Sequence, residues 1–329
     1  MSLLIDFGTS VLRMLVARTD NLIEAASMVA LQEGAPTVAG DEALKMVGRT
    51  PKSVQLIAPI EAGVVKDGPA ATDMLKLTIA SFSSRGGMLR MPMTFALPAN
   101  LTSVERRGLE EVAKNAGARQ VEFYDSLVAA AAGADIEMDQ PHGALVVDMG
   151  AGKTEVGLLS MRGIVEMRRM PYGGQAIDQT IIENIRREHA FIIGQQSVER
   201  VKQLLGEAEA GDEPTFEVIG RSLTTGLPAK MRVDRDLFWQ PLSKYYSQVK
   251  DLIRQTIEHC PPELVGDVMD NGVALVGGGA LGYRAQAELA ERIEVPIRVA
   301  AEPTTCVIRG LAKLVASQRK STEKVRLRA

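Results

Sequence analysis

The stretch Ala144–Ser160, ALVVDMGAGKTEVGLLS, decides the reading of this chain. Leu145, Val146 and Val147 run into Asp148, a turn of Gly150, Ala151 and Gly152 follows, and a second apolar strand leaves through Val156 and Leu158. Two apolar strands joined by a short glycine-bearing turn predict a β-hairpin, with glycine supplying positive φ in the turn. Backbone N–H groups pointing out of such a turn suit a phosphate. A carboxylate at the strand end suits a hydrated Mg²⁺ beside it. Taken alone, the hairpin fits any β-sandwich as well.

The pattern occurs again at the N-terminus, where Leu3-Leu4-Ile5 leads to Asp6, then Gly8, Thr9 and Ser10, then a strand through Met14, Leu15 and Val16. A third glycine turn, VALVGGGALG at Val273–Gly282, follows another apolar strand. Two carboxylate hairpins and a triple-glycine turn point to two related lobes closing on one nucleotide. Internal repetition of this kind outweighs any single motif.

These residues resemble the actin-like ATPases, and more narrowly the bacterial MreB actins. The resemblance runs along nearly the whole chain. It includes Val104-Glu105-Arg106-Arg107, Asp148 to Val156, Glu199-Arg200-Val201-Lys202, Thr225-Gly226-Leu227-Pro228, Pro261 to Val265, Gly277 to Leu281 and Glu302 to Val307. The phosphate turns alone would also fit heat-shock chaperones, FtsA-like or PilM-like proteins and sugar kinases; the TGLP, PPELV and EPTTCV segments are the MreB-specific ones.

The resemblance implies an α/β, actin-like two-lobe fold of duplicated ribonuclease-H-like domains with a nucleotide cleft between the lobes. The first lobe would span residues 1–142, with a small subdomain at about 28–61. The second would span 143–329, with a small subdomain at about 179–245 and a last helix at about 305–318 returning toward the first. ATP and Mg²⁺ are the implied cofactors. Asp6 and Asp148 would orient Mg²⁺ through water, while Gly8, Thr9, Ser10, Gly150, Ala151 and Gly152 would cradle the phosphates. Lys153 faces either the phosphates or solvent. Glu199 and Lys202 share a helix face, as a surface ion pair or as the family's E-x-x-K ribose contact. Gly277, Gly278, Gly279 and Ala280 would approach adenosine.

One position departs from the family. MreB proteins carry Glu-Glu-Pro before the alanine-rich helix, whereas this chain has Asp125-Ser126-Leu127. Ser126 stands where the water-orienting glutamate is expected, and Asp125 is one residue early and one methylene shorter. Asp125 and Ser126 are therefore the candidate catalytic pair, and loss of a well-placed base costs about 10²–10⁴ in rate. Val11 also replaces an asparagine, and Ala151 a glycine. Binding is expected intact, hydrolysis slow.

Composition sets the remaining bounds. The chain has 329 residues, enough for two cores, with 46% hydrophobic residues and a net charge of -3 that gives no bulk reason to bind nucleic acid. Cys260 and Cys306 lack metal-ligand spacing and read as thiols of a reducing cytoplasm, and the three histidines form no cluster. No signal peptide is expected, because the strand from Leu3 is needed to place Asp6. No apolar run reaches the roughly 20 residues of a spanning helix. An N-terminal amphipathic anchor is also not expected. The loop at 83–93 carries Met88 and Leu89 between Arg85 and Arg90, so these two side chains either meet the bilayer or pack back onto the lobe. Self-association into a filament at the inner face of the cytoplasmic membrane, with possible membrane-protein partners, is the implied role. A monomeric actin-fold ATPase of chaperone or small-molecule kinase type is the alternative.

Periodicity places helices at about 67–83, 103–115, 176–187, 197–207 and 237–259, a capped start at Thr102 or Ser103, and a basic, frayed tail from Gln318.

Overall fold

The computed structural model describes residues 2–17, 19, 21–82, 91–207, 215–291 and 293–326. Contacts divide the chain into two units. The first comprises Met1–His142, Leu159–Ile164 and Ala300–Ala329, and the second Gly143–Leu158 and Val165–Val299.

In the first unit, β1 (Leu3–Phe7), β2 (Val11–Val16) and β3 (Leu22–Ala26) form an antiparallel meander. Short strands β4 (Val29–Gln32), β5 (Val38–Ala39) and β6 (Val54–Ile57) pair around helix α1 (Asp41–Lys45). A small ribbon follows, β7 (Ile60–Glu61) with β8 (Val64–Val65), and leads into α2 (Gly68–Phe82). Then come β9 (Met93–Leu97), α3 (Ser103–Asn115), β10 (Val121–Asp125) and α4 (Ser126–Gly133). The main sheet has the order β10-β9-β1-β2-β3, with β9 parallel to both β1 and β10. Its strands alternate with helices, so the apolar faces of α2 (Met74, Leu75, Ile79) and α3 (Leu109, Val112, Ala113) close over Leu3, Ile5 and Phe95 in one core. Thr102 caps α3 through a reciprocal pair: its hydroxyl accepts from Glu105 N at 3.2 Å, and Glu105 accepts from Thr102 N at 2.7 Å.

The second unit repeats the plan. Strands β11 (Ala144–Met149), β12 (Thr154–Ser160) and β13 (Gly163–Met170) are followed by α5 (Gly174–His189), β14 (Phe191–Ile193), α6 (Gln195–Glu207), β15 (Thr215–Ser222) and β16 (Pro228–Asp234). After α7 (Asp236–Glu258) and α8 (Pro262–Asn271) come β17 (Val273–Val276), a 3₁₀ turn at Gly278–Leu281, α9 (Ala285–Ala290) and β18 (Ile297–Val299). The main sheet order is β13-β12-β11-β17-β18, with β11, β17 and β18 parallel. Three consecutive strands joined to two parallel ones thus occur in both units, as the repeated acid-and-glycine pattern predicts. Pro261–Pro262 stop α7 as expected, but Pro262 also opens α8, since a proline at the first helical turn forfeits no hydrogen bond.

The last helix, α10 (Cys306–Arg326), packs on α4 within the first unit. It continues beyond Gln318, where a frayed tail is expected from the basic composition; the run RKSTEKVR contains no helix breaker. The crossing with α4 is very close. A Cβ at Gly310 would sit 1.7 Å from the carbonyl oxygen of Ala129, and one at Gly133 would sit 1.9 Å from that of Cys306.

Candidate functional site

Each unit presents the turn between its first two strands at the C-terminal end of a parallel strand. In the first unit, Gly8 N donates to Val11 O at 3.1 Å. In the second, Gly150 N donates to Lys153 O at 2.9 Å. The two turns therefore close identically. Neither Gly8, Gly150 nor Gly152 has positive φ. Glycine is required for another reason. A Cβ at Gly8 would lie 2.8 Å from Val11 O, and one at Gly150 would lie 2.9 Å from Lys153 O, so any side chain would push the closing carbonyl away. The N–H groups of Gly8 and Gly150, expected to face phosphate, are engaged in closing their turns.

The surroundings of the two turns differ. Around the first, Ser27 Oγ donates to Gly8 O at 2.7 Å, Ser27 N donates to Ser10 O at 2.9 Å, and Gly63 N donates to the Thr9 hydroxyl at 3.3 Å. Asp6 on β1 faces its cross-strand partner Arg13 on β2 at 3.9 Å, and Arg13 pairs with Glu24 on β3 at 2.7 Å. Around the second, the N-terminus of α5 takes the turn carbonyls: Gly174 N donates to Gly150 O at 3.1 Å and Gln175 N to Ala151 O at 2.9 Å. Gly173 permits this approach, since a Cβ there would lie 2.4 Å from Gly150 O.

Seven residues after its acid, the second unit has Glu155 where the first has Arg13. Glu155 is fully buried and forms ion pairs with Lys153 and, at 3.7 Å, with Arg169 on β13. Lys153, in the turn just ahead of β12, thus turns to Glu155 and not to solvent. Between them, Thr154 points the other way, donating to Tyr172 O at 2.9 Å and bonding the buried Tyr245 hydroxyl at 2.8 Å. Burial pushes the Tyr245 phenol well above its ordinary range.

The triple-glycine turn packs on the second hairpin. Gly277 has φ +82°, and a Cβ there would meet Met149 O at 2.5 Å and the Asp148 carboxylate at 2.6 Å. Gly279 is similarly tight against Met149, while a Cβ at Gly278 would meet nothing within 4 Å. Gly278 is therefore the member of the loop with room beside it. Ala280 is buried in the core of the second unit.

Glu199 and Lys202 on α6 do pair, at 3.0 Å, but Lys202 makes a shorter contact of 2.7 Å with Asp178 on α5. Asp178 was missed from the sequence, although it shares the buried stripe of α5 with Ile181 and Ile185, and an acid on an apolar stripe needs a partner. Burial pushes the Asp178 carboxyl up against the pull of Lys202. Burial lowers Lys202, but the attraction of Asp178 and Glu199 outweighs it and holds the ammonium above its ordinary value.

Asp125 ends β10 as the N-cap of α4, its carboxylate accepting from Leu127 N at 2.8 Å and Val128 N at 3.3 Å. Ser126 is buried in the first turn of that helix. Asp125 is thereby committed to the helix end, which ties its carboxylate down beside Ser126. Met88 and Leu89 lie outside the described residues. No described helix is long and apolar enough to cross a membrane.

Residues 1–323 match the family model described as MreB/Mbl protein. The chain is 34% identical over 317 residues to the cell shape-determining protein MreB of Escherichia coli (strain K12), covering 94% of this chain and 91% of that protein. It is 33% identical over 310 residues to the cell shape-determining protein Mbl of Bacillus subtilis (strain 168), covering 93% of each. The crystal structure of MreB 5 of Spiroplasma citri bound to AMPPNP matches with a TM-score of 0.91 at 29% identity, covering 98% of both chains. The MamK double helical filament matches in fold, with a TM-score of 0.79 at 19% identity over 96% of this chain and 99% of that one. The fold is actin-like.

Proposed function

The chain belongs to the MreB/Mbl family, and from that premise we propose that it binds ATP with Mg²⁺ and assembles into a homopolymeric filament acting in cell-shape determination. The observation that carries the nucleotide part is the pair of turns closed by the same hydrogen bond, each following an acid at the end of a parallel strand. The nucleotide-bound state of the Spiroplasma citri MreB 5 supports the same reading. The donor chemistry fits. Asp6 and Asp148 are single carboxylates, and among the described residues no group of three or more His, Cys, Asp or Glu is arranged to cage a metal. Mg²⁺ is usually held that way, by one or two carboxylates, waters and phosphates. Thr9, Ser10, Ala151 and Gly152 would contact phosphate, and Glu199, Lys202 and Gly278 the nucleoside.

Hydrolysis is slow in this reading. Ser126 offers a hydroxyl in place of a carboxylate base, and Asp125 is engaged as a helix cap. The filament would lie peripherally at the cytoplasmic face of the membrane, through Met88 and Leu89. Sedimentation of the purified chain tests the assembly part. ATP with Mg²⁺ is expected to move it into the pellet, and anionic liposomes to carry the pelleted polymer with them; a chain that stays in the supernatant at every nucleotide concentration overturns the filament and favours a monomeric actin-fold protein.

A further inference from the structure

The second unit carries a charge arrangement that the nucleotide reading leaves unused. In the first unit the acid Asp6 faces the base Arg13, which faces the acid Glu24, a balanced row across three neighbouring strands. On the corresponding three strands the second unit has Asp148 on β11, Glu155 on β12 and, 3.7 Å from Glu155, Arg169 on β13. Two acids and one base stand in that row, and Glu155 is fully buried. A buried carboxylate is expensive unless it is paired, and Glu155 has a second cation beside Arg169.

Lys153 is that cation. It lies two residues before Glu155, in the turn just ahead of β12, and it pairs with Glu155 while Arg169 stands 3.7 Å from the other carboxylate oxygen. Lys153 is also part of the turn, since its carbonyl is what Gly150 N closes onto. One residue therefore touches both the turn and the buried acid. A lysine ammonium sits on a flexible four-carbon stem and can change partners without moving its backbone. Arg169, 3.7 Å from Glu155, is placed to hold the carboxylate when Lys153 takes another partner.

We propose that Lys153 is a triphosphate-selecting residue: it holds Glu155 while the turn is without a terminal phosphate and exchanges Glu155 for that phosphate when ATP is bound. A diphosphate is too short to draw the ammonium away from a buried carboxylate. The exchange would make affinity, and not only turnover, depend on the third phosphate. The proposal rests on the nucleotide reading above and assigns to one side chain its discrimination between ATP and ADP.

Isothermal titration of the full chain with Mg²⁺·ATP and with Mg²⁺·ADP provides the test. Lys153→Met should lower ATP affinity about tenfold and ADP affinity less than twofold, and Lys153→Arg should retain most of the preference. Glu155→Gln acts oppositely: it releases Lys153 from its resting partner and should raise the ATP-to-ADP affinity ratio at least twofold. It also decides the matter alone if Lys153→Met does not fold. An unchanged ratio in folded Lys153→Met, or a lowered ratio in Glu155→Gln, overturns the proposal and leaves nucleotide binding standing. A wild-type chain that binds neither nucleotide overturns both.

Discussion

The turn after Asp6 and the turn after Asp148 close through the same backbone hydrogen bond, yet the chain holds them from outside by different means. In the first, a serine hydroxyl takes the carbonyl of Gly8. In the second, the N-terminal N–H of a helix takes the carbonyl of Gly150, and Gly173 lets the two backbones touch. A side-chain hydroxyl can be removed with little displacement of backbone. A backbone-on-backbone contact cannot be loosened without moving α5. At the carbonyl of the turn's first glycine the duplicated motif therefore tolerates change in one copy and resists it in the other, although Ser27 N also holds Ser10 O in the first.

The largest expected effect tests that asymmetry directly. Gly173→Val would drive a side chain into the carbonyls of Gly150 and Ala151, and should cost about 3 kcal/mol in denaturant unfolding, at the upper end of overpacking penalties. Nucleotide binding probes whether the two acids share one role. Asp148→Ala and Asp6→Ala should each lose more than tenfold in Mg²⁺·ATP affinity, because each removes a charge that helps hold the metal against the phosphates. Asp6→Ala leaves Arg13 paired with Glu24, so its loss should appear in affinity with little change in unfolding. If only one acid matters to affinity, the repeat is structural in one unit.

Turnover sharpens the comparison further, because the first unit alone carries α4 and Ser126. Ser126→Glu should raise phosphate release from assembled protein about tenfold. A wild-type rate already as high as that of the variant would assign the water contact to another group, with Asp125 the first to examine. The smallest effect is expected at the side-chain support of the first turn. Ser27→Ala removes one hydrogen bond to a part-buried carbonyl and should cost about 1 kcal/mol. A cost at Ser27 equal to that at Gly173 would erase the distinction between the two turns.

The repeat itself was legible because an acid at a strand end followed by x-Gly is a local pattern, and the same pattern twice constrains the sheet order. The reason for glycine was not legible. Sequence suggests positive φ, whereas Gly8 and Gly150 are demanded by a carbonyl three residues on, a contact that exists only once the turn has closed. Gly277 does take positive φ, so one residue type serves two physical purposes in neighbouring loops. The sheet of β14, β15 and β16 escaped notice because most of its positions are half-buried or exposed, which weakens the apolar alternation that betrays a strand. Helix α8 was hidden behind Pro261–Pro262, which signals a stop more loudly than a start. The pairing of Lys153 with Glu155 was not legible, since a turn lysine reads as facing phosphate or solvent, and the contribution of Arg169 depends on the order of strands in the sheet.

The crossing of α4 and α10 has a consequence for how this chain tolerates mutation. At Gly133 and Gly310 the obstacle to any larger residue is the opposite helix's peptide backbone, Cys306 O in one case and Ala129 O in the other. No substitution elsewhere can trim a carbonyl, so neither glycine can be rescued by a compensating partner, and the two helices possess a single permitted spacing. The residues that sit at the mouth of α4, Asp125 and Ser126, inherit that rigidity: their position is set by a helix whose sequence lies nearly two hundred residues downstream.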